Sequence, residues 1–422
     1  MTEFYNGLAI LGGFVAFAMA FAIGANDVAN ALGTSVGSGA LTIKRAVIIA
    51  AIFEFLGTLI MGSFVTGTIE KGVLNVNVYS EDNDLGLLVV GMFSALCAAT
   101  VWLLTATWFA LPVSTTHTIV GGIIGFSLVE KGGDSIQSQA ITKIILSWLI
   151  SPISGAFFAF VLFAVCEYLV IRSYDPFARA LFLFPAFSAL TVSVLLLFMF
   201  GAILPRTGVV LPGWVYFLIF LGAFILSALI SRLFVVPQII KRKKTYSPLE
   251  NQVEMKPVEE EKDENVVVIE DDIDKELEAR QQKNNQVDSA EFIFVPLMVL
   301  SAVCVAFAHG ANDVANAVGP FAAIIEYRDS GTISSASGSS GAVPMWIILL
   351  GGIGIVVGLA ALGNRVMETV GKKITKLTFT RGYSAQLATA ATVMMASFMG
   401  LPISTTHTLV GAVAGGALLP SS

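Results

Sequence analysis

Charge is what this sequence has least of. Only 13% of its 422 residues are Asp, Glu, Lys or Arg, against 55% hydrophobic, where a water-soluble domain carries about 25% charged residues. That scarcity, with a mean hydropathy of +0.81, argues against a soluble enzyme and against a nucleic-acid-binding surface. Cysteine is scarce too. Cys97, Cys166 and Cys304 lie singly in apolar runs with no metal-ligand spacing, so they read as small buried hydrophobes rather than a disulfide framework or a zinc module. No basic stretch precedes the first apolar run, so no cleavable signal is expected. Alternation of polar and apolar residues over about ten positions, the mark of a membrane barrel strand, is also missing. What the chain does have is a series of apolar runs of about 20 residues, long enough to cross a bilayer core of roughly 30 Å as a helix.

Eleven such segments can be drawn, at about 5–32, 46–69, 86–110, 112–130, 140–171, 178–204, 211–236, 291–320, 343–363, 380–400 and 402–419. They predict an all-α, polytopic membrane protein. Residues 241–288 hold nine Lys/Arg and fourteen Asp/Glu, so the net charge of −6 belongs almost entirely to this one hydrophilic segment. It reads as a solvated tether with a short helix from Asp274 to Lys283. If the amino terminus is placed outside and the spans alternate, fourteen basic residues near span ends fall on the cytoplasmic side and five outside. The linker is then cytoplasmic, in a multi-pass protein of the cell membrane.

Two polar phrases recur inside the apolar background. GANDVANA occupies 24–31 and again 310–317, and LPVSTTHT at 111–118 returns as LPISTTHT at 401–408. A weaker echo links Gly57, Gly62, Val65, Thr68 and Lys71 to Gly358, Gly363, Val366, Thr369 and Lys372. The first four segments therefore correspond to the last four. Seven spans separate counterparts, an odd number, so the second copy enters the membrane upside down. The expected architecture is two inverted-topology repeats with a site near the bilayer midplane. The first repeat spans 1–135, additional helices 136–240, the linker 241–289 and the second repeat 290–422.

The phrases carry complementary chemistry. Asp at a helix centre costs about 2.5–3.5 kcal/mol, so Asp27 and Asp313 need partners or cations. Gly24 and Gly310 permit a helix break, at which Asn26, Asp27, Asn312 and Asp313 cap a new helix. Asn30 and Asn316 lie one turn further on. Such a break frees the backbone carbonyls of Ala25 and Ala311, and carbonyls, amide oxygens and a carboxylate make a hard-cation site. Pro112 and Pro402 stop the preceding helix. Ser114, Thr115 and Thr116, and Ser404, Thr405 and Thr406, then offer hydroxyls at a helix N-terminus, an anion site. The glycines of GGIIG (121–125) and GAVAGG (411–416) allow close helix approach.

All three histidines touch these phrases. His117 and His407 can donate to an oxyanion, take part in proton coupling, or orient a neighbour. His309 has Ile23 as its counterpart and reads as a bystander. Glu54 lies inside the second apolar segment, where Ile355 is its counterpart, and is a further candidate cation ligand. No Lys or Arg occurs in either phrase. A doubly charged oxyanion beside two carboxylates would bring the local charge to about −4, strongly repulsive at low dielectric. The anion must therefore enter with cations, two or more monovalent ones per anion.

On these residues the chain resembles the PiT family of inorganic phosphate transporters, whose duplicated signature GANDVANA matches and whose companion motif is similar to STTHT. The resemblance covers both repeats. It implies phosphate symport driven by sodium or protons through an elevator-like alternation, eleven to twelve spans with broken or re-entrant segments around 86–130 and 380–419, and a homodimer. Carried onto this chain it assigns sodium to Asp27, Asn26, Asp313 and Asn312, with Asn30 and Asn316 serving cations and substrate, and phosphate to the Ser/Thr triplets with Asp27 and Asp313. The short linker favours a bacterial or archaeal origin. No catalytic residues and no cofactor beyond the coupling ion are expected. Proton-coupled metal–phosphate symport, sulfate transport and an anion channel stand as alternatives, and an intramembrane Ser/His hydrolase as a more distant one.

Overall fold

The computed structural model of the chain describes residues 2–81, 84–246, 267–333, 343–373 and 377–419. These form fourteen α-helices: α1 (Thr2–Ile23), α2 (Ala29–Gly37), α3 (Ile43–Gly67), α4 (Val76–Glu81), α5 (Leu85–Trp108), α6 (Thr115–Lys131), α7 (Ser138–Cys166), α8 (Pro176–Arg206), α9 (Gly213–Ile230), α10 (Val236–Tyr246), α11 (Val267–Ser330), α12 (Met345–Lys373), α13 (Phe379–Phe398) and α14 (Thr405–Ala417). Among the described residues the only β pairing is a bridge between Leu74 and Ile136. Helix starts follow local chemistry. Thr42 caps α3 by accepting from the Arg45 amide, and Asp175 caps α8 by accepting from the Ala178 amide, with Pro176 in the first turn.

Among the described residues, eight helices are long and apolar enough to cross a membrane: Glu3–Gly37, Ile43–Gly67, Leu85–Trp108, Ser138–Ile171, Pro176–Arg206, Gly213–Lys241, Asn285–Ser330 and Met345–Asn364. The other three expected segments are helical but shorter or more polar. They are α6 and α14, of 17 and 13 residues, and α13, of 20 residues, which carries Arg381, Gln386 and several threonines. The chain breaks between α5 and α6 and again between α13 and α14, where broken segments were expected. Helix α11 is longer than foreseen. It begins at Val267, so the short linker helix expected from Asp274 is the start of a 64-residue one. Part of the linker, 247–266, lies outside the described residues.

The GANDVANA segments depart from expectation. Neither is broken. Gly24–Val28 forms a π-helical turn that joins α1 to α2, and the second copy runs without interruption inside α11. Val28 precedes α2 with no side-chain cap, so Asn26 and Asp27 do not start a new helix. The carbonyls of Ala25 and Ala311 stay within helical backbone. The glycines serve packing instead. A Cβ on Gly24 would collide with the carbonyl oxygen of Ile355, and one on Gly310 with that of Glu54. Likewise a Cβ on Gly57 would strike the Phe307 carbonyl, and one on Gly358 the Phe21 carbonyl. Small residues let membrane helices meet backbone to backbone, and here that contact outweighs the local tendency of glycine to open a helix.

Those four contacts are reciprocal. Helix α1 with its π-turn packs on α12, and α11 packs on α3. Each repeat thus lays its signature helix on the second helix of the other, the pattern that a two-fold relation between the halves produces. The glycines after STTHT behave less uniformly. Gly411 and Gly415 meet the carbonyls of Pro152 and Ala156 on α7, whereas Gly121 and Gly125 face open space. Helix α9 has no buried residue among those described.

The close approach gives a direct stability expectation. Gly310→Ala should cost about 1–3 kcal/mol by overpacking, and Gly125→Ala should cost nothing measurable. Thermal unfolding of the two variants in detergent checks this.

Candidate transport site

The two chain breaks are built alike. After α5, Ala110 takes a left-handed φ of 54° and the Leu111 amide donates to the Ala106 carbonyl at 2.9 Å. After α13, Gly400 takes φ 69° and the Leu401 amide donates to Ala396 at 2.9 Å. This is a helix stop that glycine adopts freely and alanine only with strain. A proline follows each. Ser114 and Ser404 then accept from the amides of His117 and His407 and cap the next helices, at 3.3 Å and 3.2 Å.

The signature asparagines hold these breaks in place. Asn26 donates to the Leu111 carbonyl at 2.9 Å and to the Thr107 hydroxyl at 3.2 Å, and its Oδ1 accepts from the Val113 amide. Asn312 makes the matching pair to Leu401 at 3.3 Å and Ser397 at 3.0 Å. The aspartates take the first residue of each following helix. Thr115 donates to Asp27 Oδ2 at 2.7 Å, and Thr405 to Asp313 Oδ2 at 2.8 Å.

Cross-connections then join the halves into one cluster. Thr406 donates to Asp27 Oδ1 at 3.3 Å, and Thr116 to the Ile403 carbonyl at 3.0 Å. Asn316 donates to Thr115 and Thr116 at 3.2 Å and 3.1 Å and approaches Asp313 Oδ1 at 3.4 Å. The N-termini of α6 and α14 therefore converge on the same pair of buried carboxylates, and the amide dipoles there favour negative charge.

His309, set aside in the sequence, stands at the centre. Its Nδ1 is 2.8 Å from Glu54 Oε2 and its Nε2 is 2.7 Å from Asp313 Oδ2, with all three side chains buried. Glu54 thus reaches the cluster through the imidazole. Asp27, His309 and Asp313 can each place a ligand atom within 4.8 Å of the others, an arrangement able to hold a metal ion. Buried Asn312 Oδ1, Asn316 Oδ1 and Glu54 Oε1 have no protein donor. Acceptor oxygens of that kind are what a hard cation uses. A cavity bounded by Asp27, Ala31, Val305, Thr389, Thr405 and Thr406 has room for little more than one water-sized sphere.

The remaining candidates fall elsewhere. His117 and His407 pair with each other, ring centroids 4.7 Å apart, and the His117 ring lies tilted against Trp148 with centroids 3.8 Å apart. The side chain of Asn30 lies outside the described residues. Ala25 and Ala311 are buried beside the carboxylates. One sequence signal could have found His309. It and Glu54 are both polar departures from the repeat, against Ile23 and Ile355, and they meet each other.

Comparison with known proteins bears on what this cluster serves. The phosphate transporter family matches residues 23–421. The chain belongs to the phosphate transporter family. A relative from Pyrococcus abyssi, provisionally named a phosphate permease, is 39% identical over 399 residues, which is 94% of this chain and 85% of its own length. The chloroplastic inorganic phosphate transporter 2-1 of Arabidopsis thaliana is 41% identical over 405 residues, covering 94% of this chain and 64% of its own. A solved structure described as the sodium-dependent phosphate transporter aligns with a TM-score of 0.79 at 36% identity, over 97% of this chain and 89% of that one. As a member of the phosphate transporter family the chain is a polytopic membrane protein of phosphate transport, and the resemblance seen in its motifs holds over nearly its full length.

In this phosphate transporter, removing one partner of the buried Glu54–His309 pair leaves the other charge-bearing group stranded. His309→Ile should cost about 3–5 kcal/mol, read as a drop in thermal midpoint and folded yield. The double variant His309→Ile with Glu54→Ile, which gives each position the residue of its repeat counterpart, Ile23 or Ile355, should recover most of that loss.

Proposed function

We propose that the chain is a secondary active transporter that imports inorganic phosphate in symport with sodium ions. One observation carries this reading. Two buried carboxylates, Asp27 and Asp313, face the N-termini of two helices, and the four signature phrases hold no Lys or Arg. Helix dipoles supply about half a charge each, too little to hold a doubly charged phosphate against two aspartates. Monovalent cations supply the rest. They bind the aspartates first, and phosphate then finds a neutralised site.

In this scheme sodium sits on Asp27, Asn26, Asp313 and Asn312, with Asn30, Asn316 and Glu54 as further oxygen donors. Phosphate takes the hydroxyls of Ser114, Thr115, Thr116, Ser404, Thr405 and Thr406. Two features adjust the sequence-based assignment. Asn26 spends its amide on the chain break, so its share in cation binding requires that break to open. His117 and His407, packed on each other, suit a role at the margin of the site. The small cavity fits an occluded conformation, from which alternating access, elevator-like, would enlarge it toward either face. Sodium is favoured because the 36% identical solved structure is described as sodium-dependent. Inverted repeats at 1–135 and 290–422, an external amino terminus, a cytoplasmic linker, residence in the cell membrane and a homodimer complete the proposal.

A second reading, proton coupling, is favoured by His309. An imidazole held between Glu54 and Asp313 is placed to carry a proton across the cluster. Radiolabelled phosphate uptake into proteoliposomes, with sodium and proton gradients imposed separately, decides between the two. Sodium-driven uptake that sulfate fails to inhibit is expected. Uptake indifferent to both gradients would sink coupled transport. Asp27→Asn should lower sodium-driven uptake at least about tenfold, the equivalent of one charge-assisted interaction of roughly 1.5–3 kcal/mol.

A further inference from the structure

A second buried polar cluster lies beyond the cavity. Gln386 on α13 donates through Nε2 to the Thr34 hydroxyl at 2.7 Å and the Ser35 hydroxyl at 2.6 Å, both on α2. Its Oε1 accepts from Ser301 on α11 at 2.8 Å. All four side chains are buried. Each stands one helical turn from a residue that lines the cavity: Thr34 and Ser35 from Ala31, Ser301 from Val305, and Gln386 from Thr389. Three of the four helices that wall the cavity, α2, α11 and α13, are thus tied together just past its end.

The tie has a definite side. Continuing in the same direction, Ser38 meets Met298, and Glu291 accepts from the Thr380 amide and hydroxyl. There α2 ends, α13 begins, and α11 leads back to the hydrophilic linker. Applying the repeat offsets (286 between the GANDVANA copies, 290 between the STTHT copies), the matching positions toward the opposite face are Pro320, Phe321, Val15 and Leu96. Those positions are apolar, with Phe321 and Leu96 both buried. An amide and three hydroxyls are costly to bury in a membrane protein unless paired. Their use on one side alone calls for a reason that a packing seal does not need.

We propose that Gln386, with Thr34, Ser35 and Ser301, is the gate on the linker-side exit of the cavity, and that the same groups line the passage once it opens. Closed, they satisfy one another. Parted, they present hydroxyl and amide groups to a hydrated anion and its cations, so the barrier to opening is an exchange of hydrogen bonds rather than exposure of apolar surface. The proposal rests on the transport reading only for the identity of the cargo.

Sided thiol labelling tests it without phosphate or sodium. Val393 lines the cavity and takes no part in the cation or anion sites. In sealed vesicles of either orientation, a Val393→Cys chain is treated with a membrane-impermeant thiol reagent, and the rate is compared with the chain lacking that cysteine. Adding Gln386→Ala should raise labelling from the linker side at least about tenfold, the effect of losing three neutral hydrogen bonds at the low end of their range, and leave the opposite side unchanged. A Thr34→Cys, Gln386→Cys pair, oxidised, should abolish labelling from the linker side and recover with reductant. An unchanged rate in Gln386→Ala, or a rise from the opposite side, overturns the gate. If Gln386→Ala does not insert, Ser35→Ala carries the same sided expectation at smaller amplitude. Labelling that behaves as expected while phosphate uptake fails would leave the gate standing and remove the cargo.

Discussion

Asp27 and Asp313 lie buried close together, and the matching geometry of both halves is arranged around that proximity. Two carboxylates cannot be brought together in a membrane interior by side-chain preference, because each is costly there alone. They are brought together by backbone contacts made elsewhere: Gly24 against Ile355, Gly310 against Glu54, Gly57 against Phe307 and Gly358 against Phe21. These contacts lock α1 onto α12 and α11 onto α3. The threonines at the starts of α6 and α14 then meet the carboxylates as hydrogen-bond donors, and the asparagines fix the breaks that bring those threonines there. Packing supplies the approach, and polar groups make it tolerable.

The halves match in backbone and differ in charge. At Ala110 and Gly400 the same left-handed stop appears with a strained residue in one copy and an unstrained one in the other. At the core, the contact of α3 with α11 carries Glu54 and His309 where the matching contact of α12 with α1 carries Ile355 and Ile23. The aspartates are therefore not equivalent. Asp313 is held by a threonine and an imidazole, Asp27 by two threonines, one from each half.

Much of this was legible in the sequence, and the exceptions have physical reasons. The duplicated phrases revealed the repeat, its members and the cluster they form, because buried polar residues in a membrane are retained only where they have partners. Ser114 and Ser404 read correctly as caps, since a cap depends on a few adjacent residues. The broken GANDVANA helices did not materialise, because Gly, Asn and Asp signal a break only when nothing larger claims them. Gly24 and Gly310 are claimed by a neighbouring helix, Asn26 by a loop 85 residues away. His309 is not legible from the duplicated phrases, because its place in the cluster comes from departing from the repeat. The gate at Gln386 is hidden for the same reason.

The pairing of Glu54 with His309 joins residues 255 apart in the chain. A ribosome adding about 5–20 residues per second therefore delivers the carboxylate to the membrane roughly 13–50 s before its imidazole exists. During that interval the first four helices can sit in the bilayer but cannot be finished, since their close backbone contacts and their buried acid both await the last quarter of the protein. Assembly of this transporter is thus a late, single event, governed by the arrival of α11 rather than by the order in which its spans are made.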